Sequence, residues 1–227
     1  MDTISAIPVP DALNPVEIRV LAVLIEKSFV TPDTYPLSLN ALVTGCNQLT
    51  ARDPVMTLSE PEVQEALDSL ITRRLASKRD QASARVAKYE HLIRLRYSLP
   101  LPEQAVLAIL MLRGPQTAGE IRQRCERLHA FQDIAEVESL LEHLAEKNPP
   151  LSCTLPRSPG TKETRYMYLL GGEAALEAAT EALSTGRQTS GNAPRQKLTD
   201  LETEIHTLRT ELEQLKTDFN TFRKQFD

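Results

Sequence analysis

The sequence predicts a mainly α-helical protein with two small β-hairpins and a C-terminal coiled coil. Three observations support this fold class. Apolar residues recur at spacings of three and four in several short segments, which is the period of an amphipathic helix. A pattern of three such helices followed by a hairpin occurs twice along the chain. The residues from 197 to 227 then carry a heptad repeat, which is typical of a coiled coil.

The composition is that of a soluble globular protein. The 227 residues carry a net charge of −5 and are 41% hydrophobic, so a surface that attracts nucleic acid must be local. No apolar run approaches the roughly 20 residues of a membrane span, and the start, MDTISAIPVPD, does not have the pattern of a secretory signal. The cysteines Cys46, Cys125 and Cys153 are odd in number and lack Cys-x-x-Cys spacing. They indicate reduced thiols in a cytoplasmic protein.

Local signals define three helices in the first copy of the pattern. Asn14 followed by Pro15 is an N-cap with proline at the first helical position. Ser59 with Glu62 three residues later is a capping box. We predict helices over Pro15–Lys27, Ser38–Gly45 and Ser59–Leu75.

A hairpin is predicted directly after the third helix. Its strands are Leu75–Lys78 and Lys88–Tyr97, and in the second strand Tyr89, His91 and Ile93 alternate with polar residues. Three helices followed by a hairpin is the element order of a winged helix. In that fold the third helix enters the DNA major groove, and the hairpin, or wing, contacts the backbone.

Charge is unevenly distributed over this first domain. The first half of the third helix carries Glu60, Glu62, Glu65 and Asp68 and no basic residue, so in a groove it would bring carboxylates to phosphates. Residues 73–96 instead contain eight basic and two acidic residues. We therefore predict double-stranded DNA as a partner, bound at its phosphates by Arg73, Arg74, Lys78, Arg79, Arg85 and Lys88. The alternative is a solvated hairpin whose charges pair with acids of its own domain.

The second copy repeats the first. The segment from Val20 to Leu24 is echoed 86 residues later by Val106 to Leu110, and the apolar stripe of the third helix recurs 74 residues later, from Val137. These two offsets differ by 12 residues, which predicts an insertion in the first copy between its first and third helices. Thr117 is the expected N-cap of the second helix. The third helix is again acidic, which favours a pairing surface for protein over one for DNA.

The tail predicts a helix, a linker and a dimer seam. The alanine-rich EAALEAATEAL predicts a helix, and STGRQTSGNAPR a flexible linker. From Leu198 to Phe226 the apolar residues alternate in steps of three and four. In a parallel pair all four g–e contacts join opposite charges: Lys197–Glu202, Glu204–Arg209, Glu211–Lys216 and Asp218–Arg223. We predict a homodimer through 197–227. A single helix folded back on its own domains, and a higher oligomer, remain alternatives.

The segment Thr31–Val55 is unusually long for a connection inside a helical domain. Its concentration of polar residues is not explained by core packing, and it indicates a ligand or partner loop formed by Asp33, Tyr35, Asn47, Gln48, Arg52 and Asp53. The alternative is that these side chains only satisfy nearby backbone groups. Because no metal-ligand spacing, phosphate loop or nucleophile motif is found in the chain, we expect no cofactor, no metal and no enzymatic activity.

Several irregular motifs in this region carry a family resemblance. TPDTYPLSLNAL, CNQ and RDPV, followed by ARVAKYEH, resemble the YceH-like family of bacterial proteins over roughly residues 14–170. The resemblance implies a tandem winged-helix fold and an uncharacterised function. In that family the residue after Asn-Gln is usually lysine, whereas this chain has Leu49. If that lysine contacts an anion in the family, this protein lacks the contact.

These observations divide the chain into five parts. They are an N-terminal arm (1–13), winged-helix domain 1 (14–100), winged-helix domain 2 (101–171), an alanine-rich helix with linker (172–196) and a coiled coil (197–227). The leading functional hypothesis is DNA binding in the manner of a transcription regulator. The rival is an adaptor that binds a protein partner through its winged helices and pairs through its coiled coil.

Overall fold

The computed structural model describes residues 12–79, 86–156 and 163–184. Over these ranges the protein is mainly helical, with eight α-helices and two small antiparallel hairpins. The first copy consists of α1 (Pro15–Val30), α2 (Leu39–Cys46), α3 (Glu60–Thr72), β1 (Ala76–Arg79) and β2 (Lys88–His91). A short helix, α4 (Ile93–Tyr97), precedes the second copy, which consists of α5 (Leu101–Arg113), α6 (Ala118–Cys125), α7 (Ile134–Glu146), β3 (Ser152–Leu155) and β4 (Arg165–Tyr168), followed by α8 (Gly172–Ser184).

The helices begin where the capping residues are found. The Asn14 side chain accepts hydrogen bonds from the first-turn amides of α1, and Ser59 and Thr117 cap α3 and α6 in the same way. Each cap is completed by a glutamate three residues later, so all three are capping boxes. The helix predicted from the alanine-rich segment is also confirmed, as α8. The linker and the heptad segment 197–227 lie outside the described residues, as do Met1–Asp11 of the arm.

Two kinds of long-range contact recur in both copies. In the first, buried Glu17 near the start of α1 faces Arg73 after α3, with 3.7 Å between Oε1 and Nε. In the second, buried Glu103 near the start of α5 pairs with Lys147 after α7, with 3.1 Å between Oε2 and Nζ. A residue before the second helix also bridges to the hairpin in each copy, as Leu37–Tyr89 and Gln116–Tyr166.

The first helices of the two copies form the centre of one continuous core. α1 packs on α5, and every residue from Val20 to Ile25 and from Ala105 to Leu112 is buried. A helix that is apolar all round is buried on every side. Because α1 and α5 cover each other, neither copy completes its core without the other. The prediction of two domain boundaries, at 14–100 and 101–171, stays a prediction.

The second strand of the first hairpin is shorter than predicted. β2 ends at His91, and residues 93–97 form α4 instead of continuing the strand to Tyr97. Since β1 begins at Ala76, which pairs with His91, no strand residue remains to pair beyond that point. The Leu92 amide donates to the Leu75 carbonyl at 2.7 Å, and the chain then turns into a helix. Strand alternation was therefore the wrong interpretation of residues 93–97.

Two features are absent from the part of the chain that the structure describes. No helix in this part combines the length and apolarity needed to cross a membrane. Within the same ranges, no group of three or more histidine, cysteine, aspartate or glutamate side chains is arranged to hold a metal ion.

Candidate nucleic-acid and partner-binding surfaces

Arg73, the first candidate for phosphate contact, is held by its own chain. Its guanidinium lies 3.7 Å from buried Glu17, and it donates to the Ser69 hydroxyl at 3.2 Å and the Ala12 carbonyl at 3.4 Å. The Arg73 side chain is only 28% exposed. These contacts hold the end of α3 against the start of α1.

The hairpin divides the remaining cations between its two faces. In an antiparallel pair, directly opposite residues project from the same face. Arg79 pairs with Lys88 on one face, whereas Lys78 pairs with buried Tyr89 on the other. Lys78 is exposed and Lys88 is half-buried, whereas Arg85 lies outside the described residues. We call the face that carries Arg79 and Lys88 the outer face.

One carboxylate, that of Glu90, lies beside the cations of the outer face. Arg79 Nε donates to Glu90 Oε1 at 2.7 Å, and the Ser77 hydroxyl donates to the same oxygen at 2.9 Å. The hydrogen bond to Glu90 raises the pKa of Arg79, so this arginine stays charged. Arg74 is exposed at the turn before β1, with a φ of 59°.

The third helix of each copy, α3 or α7, exposes acidic side chains to solvent. The exposed side of α3 carries Glu60, Glu62, Glu65 and Asp68. The Glu62 carboxylate accepts hydrogen bonds from the Ser59 amide and hydroxyl at 2.7 and 2.6 Å, which lower its pKa. The exposed side of α7 carries Glu138, Glu142 and Glu146. Neither helix offers a cation to a phosphate on that side.

The long segment between α1 and α3 is organised around buried Arg52. Its guanidinium makes two hydrogen bonds with the Glu26 carboxylate, at 3.1 and 2.7 Å. It also donates to the carbonyls of Gly45 and Ala51 and to the side-chain oxygen of Gln48. All five N–H groups of the arginine are thereby engaged within the chain.

Three of the other loop candidates also form hydrogen bonds with the backbone. The Asn47 side chain donates to the Leu58 carbonyl at 2.8 Å and accepts from the Leu58 amide at 2.7 Å. The Tyr35 hydroxyl accepts from the His91 amide at 2.7 Å, and burial raises its pKa. The Asp53 amide donates to the Leu112 carbonyl at 2.9 Å, which joins the loop to α5. Asp33 is exposed in a single 3-10 turn, Pro32–Thr34.

Sequence reasoning missed Arg19, which holds the same loop. It is 2% exposed and donates to the Cys46 carbonyl at 3.1 Å and to the Pro54 carbonyl. Desolvation and then nearby Arg52 lower its pKa. The signal in the sequence is an arginine at position 19 between Ile18 and Val20, within a helix that has apolar residues on every side.

The second surface that sequence reasoning missed surrounds α4. Leu95 is 78% exposed and Leu101, at the start of α5, is 56% exposed. Arg94 and Arg96, the chain neighbours of Leu95, are also exposed. Sequence reasoning counted both arginines in the charge of residues 73–96, but it placed Leu95 in the strand predicted over Lys88–Tyr97. We call Arg94, Leu95, Arg96 and Leu101 the α4 surface.

The three thiols are poor nucleophiles. Burial raises the pKa of Cys46 and Cys125 to about 12 and that of Cys153 to about 11. They are therefore protonated at neutral pH, and a thiol rather than a thiolate is unreactive.

This geometry describes a class of protein: a mainly helical protein built from two copies of a three-helix and hairpin unit, with charged and apolar outer surfaces. The family described as a protein of unknown function, DUF480, matches residues 13–161. The chain therefore belongs to this family of uncharacterised bacterial proteins, and its resemblance to the YceH-like family is consistent with that.

Similar proteins cover nearly the whole chain. A UPF0502 protein of Azoarcus sp. (strain BH72) is 63% identical over 230 residues, which is 100% of both chains. One of Aromatoleum aromaticum is 66% identical over 197 residues, covering 87% of this chain and 86% of that protein. One of Geobacter sulfurreducens is 49% identical over 216 residues, covering 95% and 98%.

Proposed function

We propose that each copy is a winged helix and that the wing of the first copy binds the phosphate backbone of double-stranded DNA. The observation that carries this proposal is the pairing of Arg79 with Lys88 directly across the first hairpin. Like charges opposite each other destabilise a sheet, and Glu90 neutralises only one of the two. A phosphate between them relieves the repulsion.

The second wing lacks this arrangement, although its strands pair in the same register. The positions that correspond to Arg79 and Lys88 hold Leu155 and Arg165. Arg165 is already paired with Glu120 at 3.0 Å. The cationic pair therefore belongs to the first copy alone, which supports a role that the scaffold itself does not require.

The acidic third helices determine the mode of binding. A helix that carries Glu60, Glu65 and Asp68 on its exposed side would bring carboxylates against the phosphates that line the major groove. We therefore propose contact through the wing only. Phosphate contacts position a protein on DNA but carry no sequence information, so the binding is independent of sequence.

The test is fluorescence anisotropy with random duplex DNA across a salt series. The variant Arg79→Gln/Lys88→Gln is compared with Arg122→Gln/Arg127→Gln, which removes two exposed cations from the second copy. The first variant is expected to bind more weakly and to reduce the slope of log K against log salt by about two, since each phosphate contact contributes about 0.9. No binding by the unaltered protein at low salt, or equal losses in both variants, contradicts the proposal.

A second candidate is a protein-binding adaptor, favoured by the acidic rows on α3 and α7. Each row is a solvated helix face of one sign, which suits a basic partner. Cross-linking of carboxylates to lysines in intact cells tests this function. Partner lysines linked to Glu65 or Glu142 support it, and their absence from every cross-linked peptide argues against it.

We also propose that residues 197–227 pair two chains as a parallel coiled coil. The support comes from the sequence, in the unbroken heptads and the four opposite-charge g–e pairs. After deletion of residues 186–227, light scattering is expected to give the mass of one shortened chain. The mass of two shortened chains contradicts the dimer seam.

The protein is proposed to act without catalysis in the cytoplasm. Because burial raises the pKa of Cys46, Cys125 and Cys153, these thiols are protonated at neutral pH and do not serve as thiolate nucleophiles. The described cysteines are free thiols, which agrees with a reducing compartment.

A further inference from the structure

The α4 surface combines apolar and basic side chains without acid. Leu95 and Leu101 are 78% and 56% exposed, and the segment from Leu92 to Pro102 contains no carboxylate. The next residue, Glu103, is buried and paired with Lys147. Exposed leucines are ordinary when scattered singly, whereas here two leucines lie within a short segment that also exposes two arginines.

The backbone under this surface is fixed. Ile93 and Leu99 are buried in the core at 0% and 1% exposure. Ser98 ends α4 in the left-handed conformation, with a φ of 53°. Buried Gln104 donates to the Leu99 carbonyl at 2.7 Å. Side chains on a fixed backbone lose little conformational freedom on binding, which favours recognition.

The two arginines of the α4 surface are available to a partner. Arg94 and Arg96 form no ion pair with any carboxylate among residues 12–79, 86–156 and 163–184, and Arg96 lies over the Tyr97 ring at 5.3 Å from its centroid. This distinguishes them from Arg73, whose guanidinium lies 3.7 Å from the Glu17 carboxylate.

We propose that the α4 surface binds an acidic amphipathic helix of a partner protein. Leu95 and Leu101 take its apolar stripe, and Arg94 and Arg96 meet the carboxylates that flank the stripe. An amphipathic helix binds by laying apolar side chains at i, i+3, i+4 and i+7 on an apolar surface. Arginine and aromatic residues are enriched among the residues that dominate such interfaces.

The chemistry of the surface favours this partner over the other anionic candidates. A phosphate backbone offers no apolar group to Leu95 or Leu101, so DNA leaves their exposure unexplained. A membrane surface is disfavoured by the net charge of −5 and by the small apolar area of two leucines. The inference does not depend on DNA binding by the wing, because it uses different residues and a different partner.

The probe is a synthetic 18-residue peptide with leucine at i, i+3, i+4 and i+7 and glutamate at most other positions, labelled for anisotropy. Three variants of the full chain are compared with the unaltered protein. Leu95→Gln/Leu101→Gln removes the apolar anchors, and Arg94→Gln/Arg96→Gln removes the cations. Leu49→Gln/Val55→Gln is the matched control, because these two residues of the loop before α3 are 81% and 49% exposed.

The unaltered protein is expected to bind the peptide with a Kd below about 1 mM. The leucine variant is expected to weaken binding by about tenfold or more, and the arginine variant to weaken it and reduce its salt dependence, while the control binds as the unaltered protein does. No binding up to about 1 mM overturns the proposal, as does equal loss in the control. Equal binding of a peptide with lysine in place of glutamate also overturns it.

The same variants are also titrated with duplex DNA, which distinguishes a DNA contact at the α4 surface from peptide binding. If Arg94→Gln/Arg96→Gln weakens DNA binding and the peptide does not bind, the α4 surface is part of the DNA contact and the docking proposal is wrong. If the peptide binds while duplex DNA does not bind the unaltered protein, the docking site stands and the proposed DNA function fails.

Discussion

Replacing Arg52 with methionine tests whether the polar residues of the long loop serve the fold or a ligand. The Arg52 side chain is fully buried, and its partner Glu26 is 11% exposed. Methionine keeps much of the length of the side chain but removes all five donors. The Glu26 carboxylate, the Gly45 carbonyl and the Gln48 side chain then lose their shared partner.

The expected loss of stability is large. Removal of one partner from a buried ion pair costs about 3–5 kcal/mol, because the other charge loses its compensation. Lys27 Nζ, 3.4 Å from Glu26 Oε2, stays beside that carboxylate and offsets part of this cost. For a protein of this size each kcal/mol lowers Tm by about 2–4 °C, so a fall of roughly 6–20 °C is expected. The double variant Glu26→Leu/Arg52→Met is expected to recover part of the loss, since neither member of the pair is left buried without the other.

Arg79→Met is the matched control, because its ion pair has the same 2.7 Å distance but a different environment. The Arg79 side chain is 61% exposed, and exposed ion pairs contribute little to stability. Both variants are measured by urea unfolding followed by circular dichroism. If Arg52→Met is no more destabilising than Arg79→Met, the guanidinium is not holding the loop and becomes available for a ligand.

Two further predictions concern packing and pH. Gly45→Ala is expected to cost about 1–3 kcal/mol, because a Cβ there lies 2.7 Å from Val23 Cγ1. Gly119→Ala, whose nearest neighbour is at 3.9 Å, is the control; similar urea midpoints for the two contradict the reasoning. Burial lowers the pKa of His91 to about 4 from 6.5, so the unfolded chain binds a proton that the folded chain lacks. Unfolding free energy is therefore expected to fall by up to about 3 kcal/mol as pH drops through this window. The variant His91→Gln is expected to lose this pH dependence of the unfolding free energy, which urea unfolding at several pH values measures. The same pH dependence in both proteins contradicts the prediction.

The parts of the fold that the sequence predicts correctly depend on neighbouring residues. A capping box is complete within four positions, so Ser59 with Glu62 and Thr117 with Glu120 could be recognised without a fold. The duplication was visible because apolar spacing is retained between copies. The strand prediction for residues 93–97 was wrong because the apolar pattern of these residues fits a strand as well as a helix. Only the start of β1 at Ala76 shows that no strand remains to pair with them.

The role of the polar residues in the long loop could not be decided from the sequence, for a different reason. The partner of Arg52 is Glu26, which lies 26 positions earlier in α1. The partners of Arg19 are carbonyls 27 and 35 positions later. A loop rich in polar residues has the same composition whether they face a ligand or each other. Burial distinguishes the two, and burial depends on the packed fold.

The comparison of the two copies shows where the chain departs from its own scaffold. Arg19 and Glu26 in α1 correspond to Ala105 and Leu112 in α5, at the same offset of 86 residues. The second copy therefore lacks this buried polar system, and it also lacks the long loop that the system holds. The Asp53 amide of that loop donates to the Leu112 carbonyl, so the loop ends on the apolar counterpart of Glu26.

The same asymmetry extends to the outer surfaces. The opposed cations Arg79 and Lys88 belong to the first copy, and the α4 surface follows directly after it in the chain. The repeated helices and ion pairs are explained by the fold that both copies share. Residues found on one copy only are not required by that fold, and they are where a binding function is to be sought.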